Sequence, residues 1–403
     1  MLNARMNRIL MIVAATVLTI AVFAGAVNGS TSVATKPSLE NVREFAATPH
    51  NISYAIDGGV LYAGGSYGWA EVSAPEGIIA GAVAVDPHNA ETIYLGAANE
   101  LALYRSTDSG RTWLRVPLSD QFVGGVTAIA VDRAQRLVYV GTDTAGLFRL
   151  RDVGSSMISG GHLRLDEPVL DVAAASTGDG MAFARTRTQL YRAENFGLNW
   201  VAVDNLGSAP TALAIADTSP VTVYVGTSDR GLLKSSDGRA WVMANDGLGL
   251  IPGSRLQVDA LAIDPLQPEV VYVATSYLYG STELHQSPVG VAMSTDGAQS
   301  WATLHTDRNV AVADLLPVSG RTGAVYAVTN VSRTPQPLGD APVAPAFVAD
   351  AGELAGPAAT TNLIAWFVAS LAALAMAYAV VNDLRSRRPA AGQPLAKGSV
   401  RNG

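Results

Sequence analysis

A short motif that recurs along the chain limits most strongly what this sequence can fold into. Residues 106–113 read STDSGRTW, and degraded copies occupy residues 193–200, 235–241 and 294–301. Four of the six tryptophans close one of these copies. A motif that returns at this scale is typical of a repeat protein, in which one small structural unit is built several times.

Each copy has the chemistry of a tight turn between two strands. A short acidic side chain accepts hydrogen bonds from nearby backbone N–H groups, glycine supplies a positive φ, and tryptophan buries a large ring on the following strand. An alternative role for the acids, in calcium binding or catalysis, is disfavoured because turn aspartates usually serve their own backbone. The predicted turn and anchor residues are Ser106, Asp108, Gly110, Trp113, Asn195, Gly197, Trp200, Asp237, Trp241, Ser294, Asp296 and Trp301.

A second repeat lies between these turns. Valine-rich strands carry one aromatic residue each, and from Tyr94 onward the intervals between these aromatics are 45, 44, 41, 48 and 54 residues. Most copies follow an apolar run that ends in an acidic turn residue. The aromatic positions are Tyr62, Tyr94, Tyr139, Phe183, Tyr224, Tyr272 and Tyr326.

Together the two repeats predict units of four antiparallel strands. One such sheet cannot bury both of its faces until neighbours stack against it, so the sequence predicts an all-β, seven-bladed β-propeller. The first unit (46–75) and the last unit (309–349) are short. Closure of the ring by strands shared between the two chain ends is therefore expected, and six blades remain an alternative.

The repeated motif resembles the Asp-box (BNR) repeat. That repeat occurs in sialidases, sortilin-type receptors, xyloglucanases and the photosystem II assembly and stability factor family. The resemblance covers roughly residues 46–335 and is most specific at STDSGRTW. It implies a propeller that acts either as a protein-binding scaffold or as a carbohydrate-active module.

Two apolar segments near the chain ends predict membrane attachment. Residues 9–27 follow two arginines and suit a signal peptide or an uncleaved anchor. Residues 363–381 carry no charge, precede a basic tail, and are long enough to cross the ~30 Å hydrocarbon core as a helix. The positive flanks place the propeller on the extracytoplasmic side. The predicted domains are 1–27 signal peptide or anchor, 28–45 linker, 46–335 propeller, 336–361 proline- and alanine-rich stalk, 362–382 transmembrane helix and 383–403 basic cytoplasmic tail.

Charge and composition narrow the range of partners. Residues 9–381 hold 20 basic and 33 acidic side chains, so nucleic acid and anionic lipid are poor partners for the propeller. The five histidines are scattered and suggest no metal site, and no cofactor-binding motif is visible. Sialidase-type and xyloglucanase-type catalytic arrangements cannot be traced in this sequence either. The chain is therefore predicted to be non-catalytic, with a divergent glycoside hydrolase as the alternative.

Two long segments suggest where a partner binds. Residues 245–257 precede the first strand of the sixth unit, and residues 275–288 follow its second strand. Both are expected on the face opposite the Asp-box turns, in the same sector, and rigid scaffolds often carry binding residues on such loops. The candidate binding residues are Arg255, Tyr277, Tyr279 and His285. Unconstrained insertions, or packing against the stalk, are the alternative interpretations.

These observations predict a membrane-anchored, extracytoplasmic propeller that binds a protein partner. Assembly or stabilisation of a membrane complex would suit the resemblance to the photosystem II factor family. Glycan binding remains the competing function, because aromatic side chains such as Tyr277 and Tyr279 can stack on sugars.

Overall fold

The computed structural model describes residues 35–36, 39–46, 48, 53–65, 68–249, 251–280, 283–307 and 309–341. The predicted signal or anchor segment, the transmembrane helix and the basic tail lie outside the described residues. The end of the last predicted unit, residues 342–349, also lies outside them. Within the described part of the chain, no helix is long and apolar enough to cross a membrane.

The described residues form seven antiparallel sheets, each built from one continuous stretch of chain. The innermost strand of each sheet contacts the innermost strand of the next sheet, and the first and last sheets contact each other in the same way. The seven sheets therefore form a closed seven-bladed propeller. Blade 1 contains β1 Thr35–Lys36, β2 Val42–Ala46, β3 Ser53–Asp57, β4 Val60–Gly65 and β5 Gly68–Glu71. Blade 2 contains β6 Ala80–Asp86, β7 Asn89–Ala97, β8 Ala102–Ser106 and β9 Leu114–Pro117. Blade 3 contains β10 Val126–Asp132, β11 Leu137–Thr142, β12 Leu147–Asp152 and β13 Met157–Leu163.

The second half of the ring repeats this plan. Blade 4 contains β14 Asp171–Ala174, β15 Ala182–Arg185, β16 Leu190–Glu194 and β17 Asn199–Val203. Blade 5 contains β18 Pro210–Ala216, β19 Thr222–Thr227, β20 Leu232–Ser235 and β21 Val242–Met243. Blade 6 contains β22 Arg255–Asp264, β23 Gln267–Tyr279, β24 His285–Ser294 and β25 Ala302–His305. Blade 7 contains β26 Val312–Pro317, β27 Ala324–Thr329 and β28 Gln336–Gly339.

The seven-bladed prediction is confirmed, and strand sharing between the chain ends stays a prediction, because blade 7 has three described strands. No described sheet combines strands from both chain ends. Closure among the described residues uses packing of Leu39 and Val42 on Val328, and the Val42 N–H donates to the Arg333 carbonyl at 3.2 Å. Propeller strands also extend beyond the expected limits of 46–335, since β2 begins in the predicted linker and β28 lies in the predicted stalk.

The core consists of apolar layers between neighbouring blades. The valine-rich strands are largely buried; β11, for example, is buried along its whole length. Its valines and aromatic side chain suit a pleated surface covered on both sides. At the end of the first strand, the turn role of the acids is confirmed. Asp86 accepts the His88 N–H at 2.9 Å, and Asp264 accepts the Leu266 N–H at 2.9 Å.

For one aromatic residue, Tyr62, the predicted place in the repeat is wrong. In blades 2 to 6 the aromatic lies on the second strand and faces the following blade. In blade 1 the residue at this position is Tyr54 on β3, whereas Tyr62 lies on β4 and faces blade 7. The sequence around Tyr62 matches the repeat, but β2 forms an additional strand upstream and shifts the order by one.

Candidate functional site

The most distinctive surface feature is the hairpin of β23 and β24 in blade 6. β23 has 13 residues and β24 has 10, whereas β19 and β20 of blade 5 have 6 and 4. The two strands stay paired as far as Tyr279 and His285. We call residues 275–288 the blade 6 hairpin. The connection of β23 to β24 lies at the opposite end of the sheet from the Asp296 turn, which connects β24 to β25.

The predicted loop 275–288 is thus mostly strand, which corrects the sequence-based expectation. Regular pairing continues because β22 also starts early and covers β23, with Leu256 opposite Tyr277. Residues 255–257, expected in the loop that precedes blade 6, belong to β22. The extension makes this part of the surface a three-stranded projection rather than a pair of irregular loops.

The four candidate residues lie on this projection. Tyr279 and His285 face each other across the end of the hairpin, with ring centroids 5.5 Å apart. The Tyr277 hydroxyl donates to the carbonyl of Gly249, which brings the preceding loop onto the hairpin. A guanidinium nitrogen of Arg255 lies 3.9 Å from a carboxylate oxygen of Asp229 in blade 5. Both predicted segments therefore lie in the same sector.

A half-buried polar network that the sequence did not suggest holds the base of the hairpin. Asp259 of β22 accepts hydrogen bonds from Gln257 at 2.6 Å, Gln286 at 3.0 Å and Ser276. These residues come from three adjacent strands, so the carboxylate links all of them. Burial raises the pKa of Asp259, and the three hydrogen bonds act in the opposite direction. The four residues of this network are not part of any recognisable sequence motif. Only the register of the three strands brings them together.

Apolar side chains surround the tip of the hairpin. Tyr279 is 47% exposed, Leu284 is 59% exposed, and Ile251 in the preceding loop is 52% exposed. Large apolar side chains grouped on one projection are more typical of a contact surface than scattered single residues. Together with Arg255 and His285 they form what we call the blade 6 tip.

The acids of the repeated turns serve local structure. Asp108 accepts from the Thr112 N–H at 2.8 Å and the Thr112 hydroxyl at 2.7 Å, which lowers the pKa of Asp108 to about 2. Asp296 makes the equivalent bonds to Ser300, and Asp237 accepts from the Ala240 N–H at 2.9 Å. A serine closes each of these three turns from the other side. Its hydroxyl donates a hydrogen bond to the carboxylate of the aspartate two residues later, in Ser106, Ser235 and Ser294 alike.

The blade 4 turn differs from the other three. Asn195, Phe196 and Gly197 all have positive φ, and the Gly197 N–H bonds to the Glu194 carbonyl at 3.1 Å. The Asn195 side chain accepts no hydrogen bond among the described residues, so the backbone alone closes this turn. Ala193, which stands where the other copies have serine, offers no hydroxyl.

The four tryptophans anchor their turns in two ways. Trp113 donates its indole N–H to the Ser73 carbonyl at 2.7 Å, and Trp301 donates to Ala244 at 2.8 Å. Trp200 and Trp241 instead meet an aromatic ring of the preceding blade edge to face. In every case the tryptophan contacts the blade before its own.

Three carboxylates on the innermost strands of different blades have raised pKa values. Burial raises the pKa of Glu44 on β2, of Asp171 on β14 and of Asp314 on β26, the last to about 7. Repulsion from Asp171 acts in the same direction on Glu44 and Asp314. Asp171 has a partial counterion in Arg185, at 3.5 Å. Among the described residues, no group of histidine and acidic side chains has the arrangement of a metal site.

Comparison with known proteins supports the fold. No family model matches the sequence, and no curated protein matches it either. The crystal structure of the GH74 xyloglucanase from Xanthomonas campestris is similar with a TM-score of 0.55 and 22% identity, over 74% of this chain and 52% of that protein. A GH74 enzyme from Niastella koreensis is similar with a TM-score of 0.54 and 16% identity, over 73% and 52%. The chain thus spans about half the length of both enzymes.

A third similar structure is of nearly the same length as the propeller. It is YCF48 bound to D1 peptide, with a TM-score of 0.52 and 12% identity, over 76% of this chain and 93% of that one. At such low identity, all three likenesses show a shared β-propeller fold and no more. The similar structures therefore include two enzymes and one protein with a bound peptide.

Proposed function

We propose that this chain is a membrane-anchored, extracytoplasmic, non-catalytic propeller that binds a protein partner through the blade 6 tip. The observation that carries the proposal is the long hairpin, which presents Tyr279 and Leu284 to solvent on a rigid base. Exposed aromatic and apolar side chains on a preorganised support are typical of interface hot spots. The Asp259 network supplies the rigidity.

An assembly or stability factor for a membrane complex is the role we favour. Two features support it: the likeness to YCF48, a propeller of similar size with a bound peptide, and the apolar segment 363–381, which would keep this propeller beside membrane partners. The Asp-box resemblance of residues 106–113 agrees with kinship to such propellers.

Site-specific photo-crosslinking tests the proposed surface. A photoreactive phenylalanine analogue at Tyr279 should trap a discrete partner in native membranes, and Tyr279→Ala with Leu284→Ala should reduce recovery of that partner by about tenfold or more. Phe196 is the matched control, because it is 43% exposed and lies on the opposite face in the blade 4 turn. Equal recovery from the double variant, or the same adduct from position 196, would exclude this surface.

The proposed topology can be tested because the chain contains no cysteine. Val123→Cys, at a site 93% exposed on the propeller, should react with a membrane-impermeant thiol reagent on intact cells. Ser399→Cys, in the basic tail, should react only after the membrane is opened. Labelling in the reverse order would show that the proposed orientation is wrong.

Glycan recognition or hydrolysis is the second candidate. The likeness to two GH74 proteins favours it, as does the raised pKa of Asp314 opposite Asp171, since glycosidases pair a protonated acid with a carboxylate. Screening against β-glucan and sialoside substrates separates the two functions. Turnover that disappears in Asp314→Asn or Asp171→Asn would establish catalysis and overturn the scaffold proposal.

A further inference from the structure

A second surface feature lies on the face opposite the blade 6 tip. A groove of about 400 Å³ opens between blades 5 and 6, beside the Asp237 and Asp296 turns. Its lining also includes Tyr224, Lys234 and Glu269. We call it the blade 5–6 groove. The proposed protein-docking surface does not include it, so the two can be tested separately.

The Tyr224 hydroxyl lacks a hydrogen-bond partner in this groove. The side chain is 1% exposed, and its hydroxyl bonds to no residue in the described part of the chain. Two of the equivalent tyrosines bond to the following blade. The Tyr94 hydroxyl donates to Asp152 at 2.7 Å, and the Tyr272 hydroxyl accepts the Gly323 N–H at 2.9 Å. The Tyr139 hydroxyl is fully buried without a hydrogen bond, whereas the Tyr224 hydroxyl opens onto the groove and can bond to a ligand there.

The Asp237 turn also lines this groove and leaves one carboxylate oxygen free of hydrogen bonds from described residues. Its Oδ1 accepts the N–H groups of Arg239 and Ala240 at 2.8 and 2.9 Å, while Oδ2 accepts no hydrogen bond from a described residue. In the Asp296 turn, Oδ2 accepts the Ser300 hydroxyl at 2.6 Å. Alanine replaces that hydroxyl at position 240, and Ala240 lines the groove. The shortened blade 5 turn thus exposes an acceptor that the other turns use internally.

The remaining charges make the groove acidic. The ammonium group of Lys234 is committed to the Gly297 and Ala298 carbonyls, at 3.1 and 3.2 Å. The Glu269 carboxylate has no ion pair or hydrogen bond within the described residues and lies close enough to the Tyr224 hydroxyl to raise its pKa. The groove is therefore lined by three side chains that each have an oxygen accepting no hydrogen bond from a described residue: Tyr224, Asp237 and Glu269. All three oxygens can accept hydrogen bonds, and two belong to carboxylates.

We propose that the blade 5–6 groove binds a guanidinium group. A guanidinium presents five N–H donors in a plane and can meet several acceptors at once, which a compact ammonium group does less well. Its source is either an arginine side chain of a protein or a small guanidine compound. Both share the chemistry that the groove recognises.

Calorimetry with matched peptides tests the proposal on the full-length chain in detergent micelles. A blocked tripeptide with a central arginine should bind saturably, and its neutral citrulline twin should bind about tenfold more weakly or not at all. Glu269→Gln should weaken the arginine peptide about tenfold, and Tyr224→Phe about threefold, because the latter removes one neutral acceptor. Thermal melting of each variant verifies that it is folded.

The matched control is Glu91→Gln. Glu91 occupies the equivalent hairpin position in blade 2: its carbonyl accepts the Ser109 N–H at 2.9 Å, as that of Glu269 accepts the Gly297 N–H at 3.0 Å. Glu91→Gln should leave the affinity unchanged. Agmatine distinguishes the sources, since binding as tight as that of the peptide indicates a free guanidine ligand and weaker binding indicates a protein side chain. Equal affinity for the arginine and citrulline peptides, or wild-type affinity in both groove variants, would overturn the proposal.

Discussion

The ring of Trp200 meets the ring of Tyr139 edge to face, with centroids 5.7 Å apart and planes at 90°. Trp200 closes the blade 4 turn, and Tyr139 lies on the second strand of blade 3. Trp241 and Phe183 make the same contact between blades 5 and 4, at 6.1 Å and 77°. Two motifs that are separate in the sequence thus form one contact in the ring. That contact connects each of these turns to the blade before it.

This contact predicts energetic coupling between the two rings. In a double-mutant cycle, Tyr139→Leu and Trp200→Leu should show a coupling energy of about 0.5–1.5 kcal/mol, because each single change already removes the edge-to-face contact. Urea denaturation measures it. A cycle that joins Tyr139→Leu to Trp241→Leu serves as the control and should be additive, since Trp241 packs on Phe183. Additivity in the first cycle would contradict the role of the pair.

The glycine of the blade 4 turn should be intolerant of substitution. Gly197 has φ +75°, and a Cβ there would collide with the Tyr139 ring, so Gly197→Ala should lower the free energy of unfolding by about 2–4 kcal/mol. Gly58→Ala isolates the backbone contribution. Gly58 has φ +60° and open space around it, and should cost about 1–2 kcal/mol. Similar losses from both variants would mean that the close approach to Tyr139 is unimportant.

Equivalent tyrosines should respond differently to loss of the hydroxyl. The Tyr139 hydroxyl is buried without a hydrogen bond, and the neighbouring Arg149 donates instead to the Phe196 carbonyl at 2.6 Å. Tyr139→Phe should therefore leave stability unchanged or raise it by up to about 1 kcal/mol. Tyr94→Phe breaks the bond to Asp152 and should cost about 1–2 kcal/mol. Thermal denaturation compares the two, and a larger loss at Tyr139 would refute the assignment.

Stability should fall as pH rises through the range in which Asp314 titrates. Burial raises the pKa of Asp314 from its usual 3.8 to about 7 in the folded protein, so the folded state binds this proton more tightly than the unfolded state. The free energy of unfolding is therefore expected to decline from about pH 4 to about pH 7 and to level off above that. Glu44 and Asp171, also with raised pKa values, should add to the slope.

Asp314→Asn tests this pH dependence directly. The variant should melt at a higher temperature than the wild type at pH 8, and this difference should shrink steadily as the pH is lowered toward 4, because asparagine mimics the protonated acid. Asp120→Asn, at an exposed position on the linker between blades 2 and 3, should change the melting temperature at neither pH. A pH profile for Asp314→Asn that parallels the wild type would show that this carboxyl is not responsible.

Much of the fold could be predicted because it follows from local chemistry. Three kinds of local signal were available: the turn acids, the glycines with positive φ and the valine-rich second strands. Each acts within a few residues, so the structure of one blade can be predicted from its own sequence. That was enough to predict seven units of antiparallel strands and the roles of Asp86, Asp108 and Asp264. It failed for Tyr62, whose surroundings resemble the repeat although it lies one strand farther out.

The candidate sites depended on relations that the sequence does not display. Whether residues 275–288 form a loop or a hairpin depends on β22, which extends far enough to pair with β23. Asp259 lies beside Ser276 and Gln286 only because three strands share one register. The difference between Tyr94 and Tyr224 depends on the following blade, which supplies Asp152 as a partner for Tyr94 and leaves a groove beside Tyr224.

The strands, the turns and the number of repeats thus follow from the order of residues along the chain. Which surfaces are available for binding follows instead from how the blades pack around the ring. The physical reason is range: a turn forms from hydrogen bonds within about five residues, whereas a buried hydroxyl or an exposed hairpin is defined by what packs, or does not pack, from a neighbouring blade.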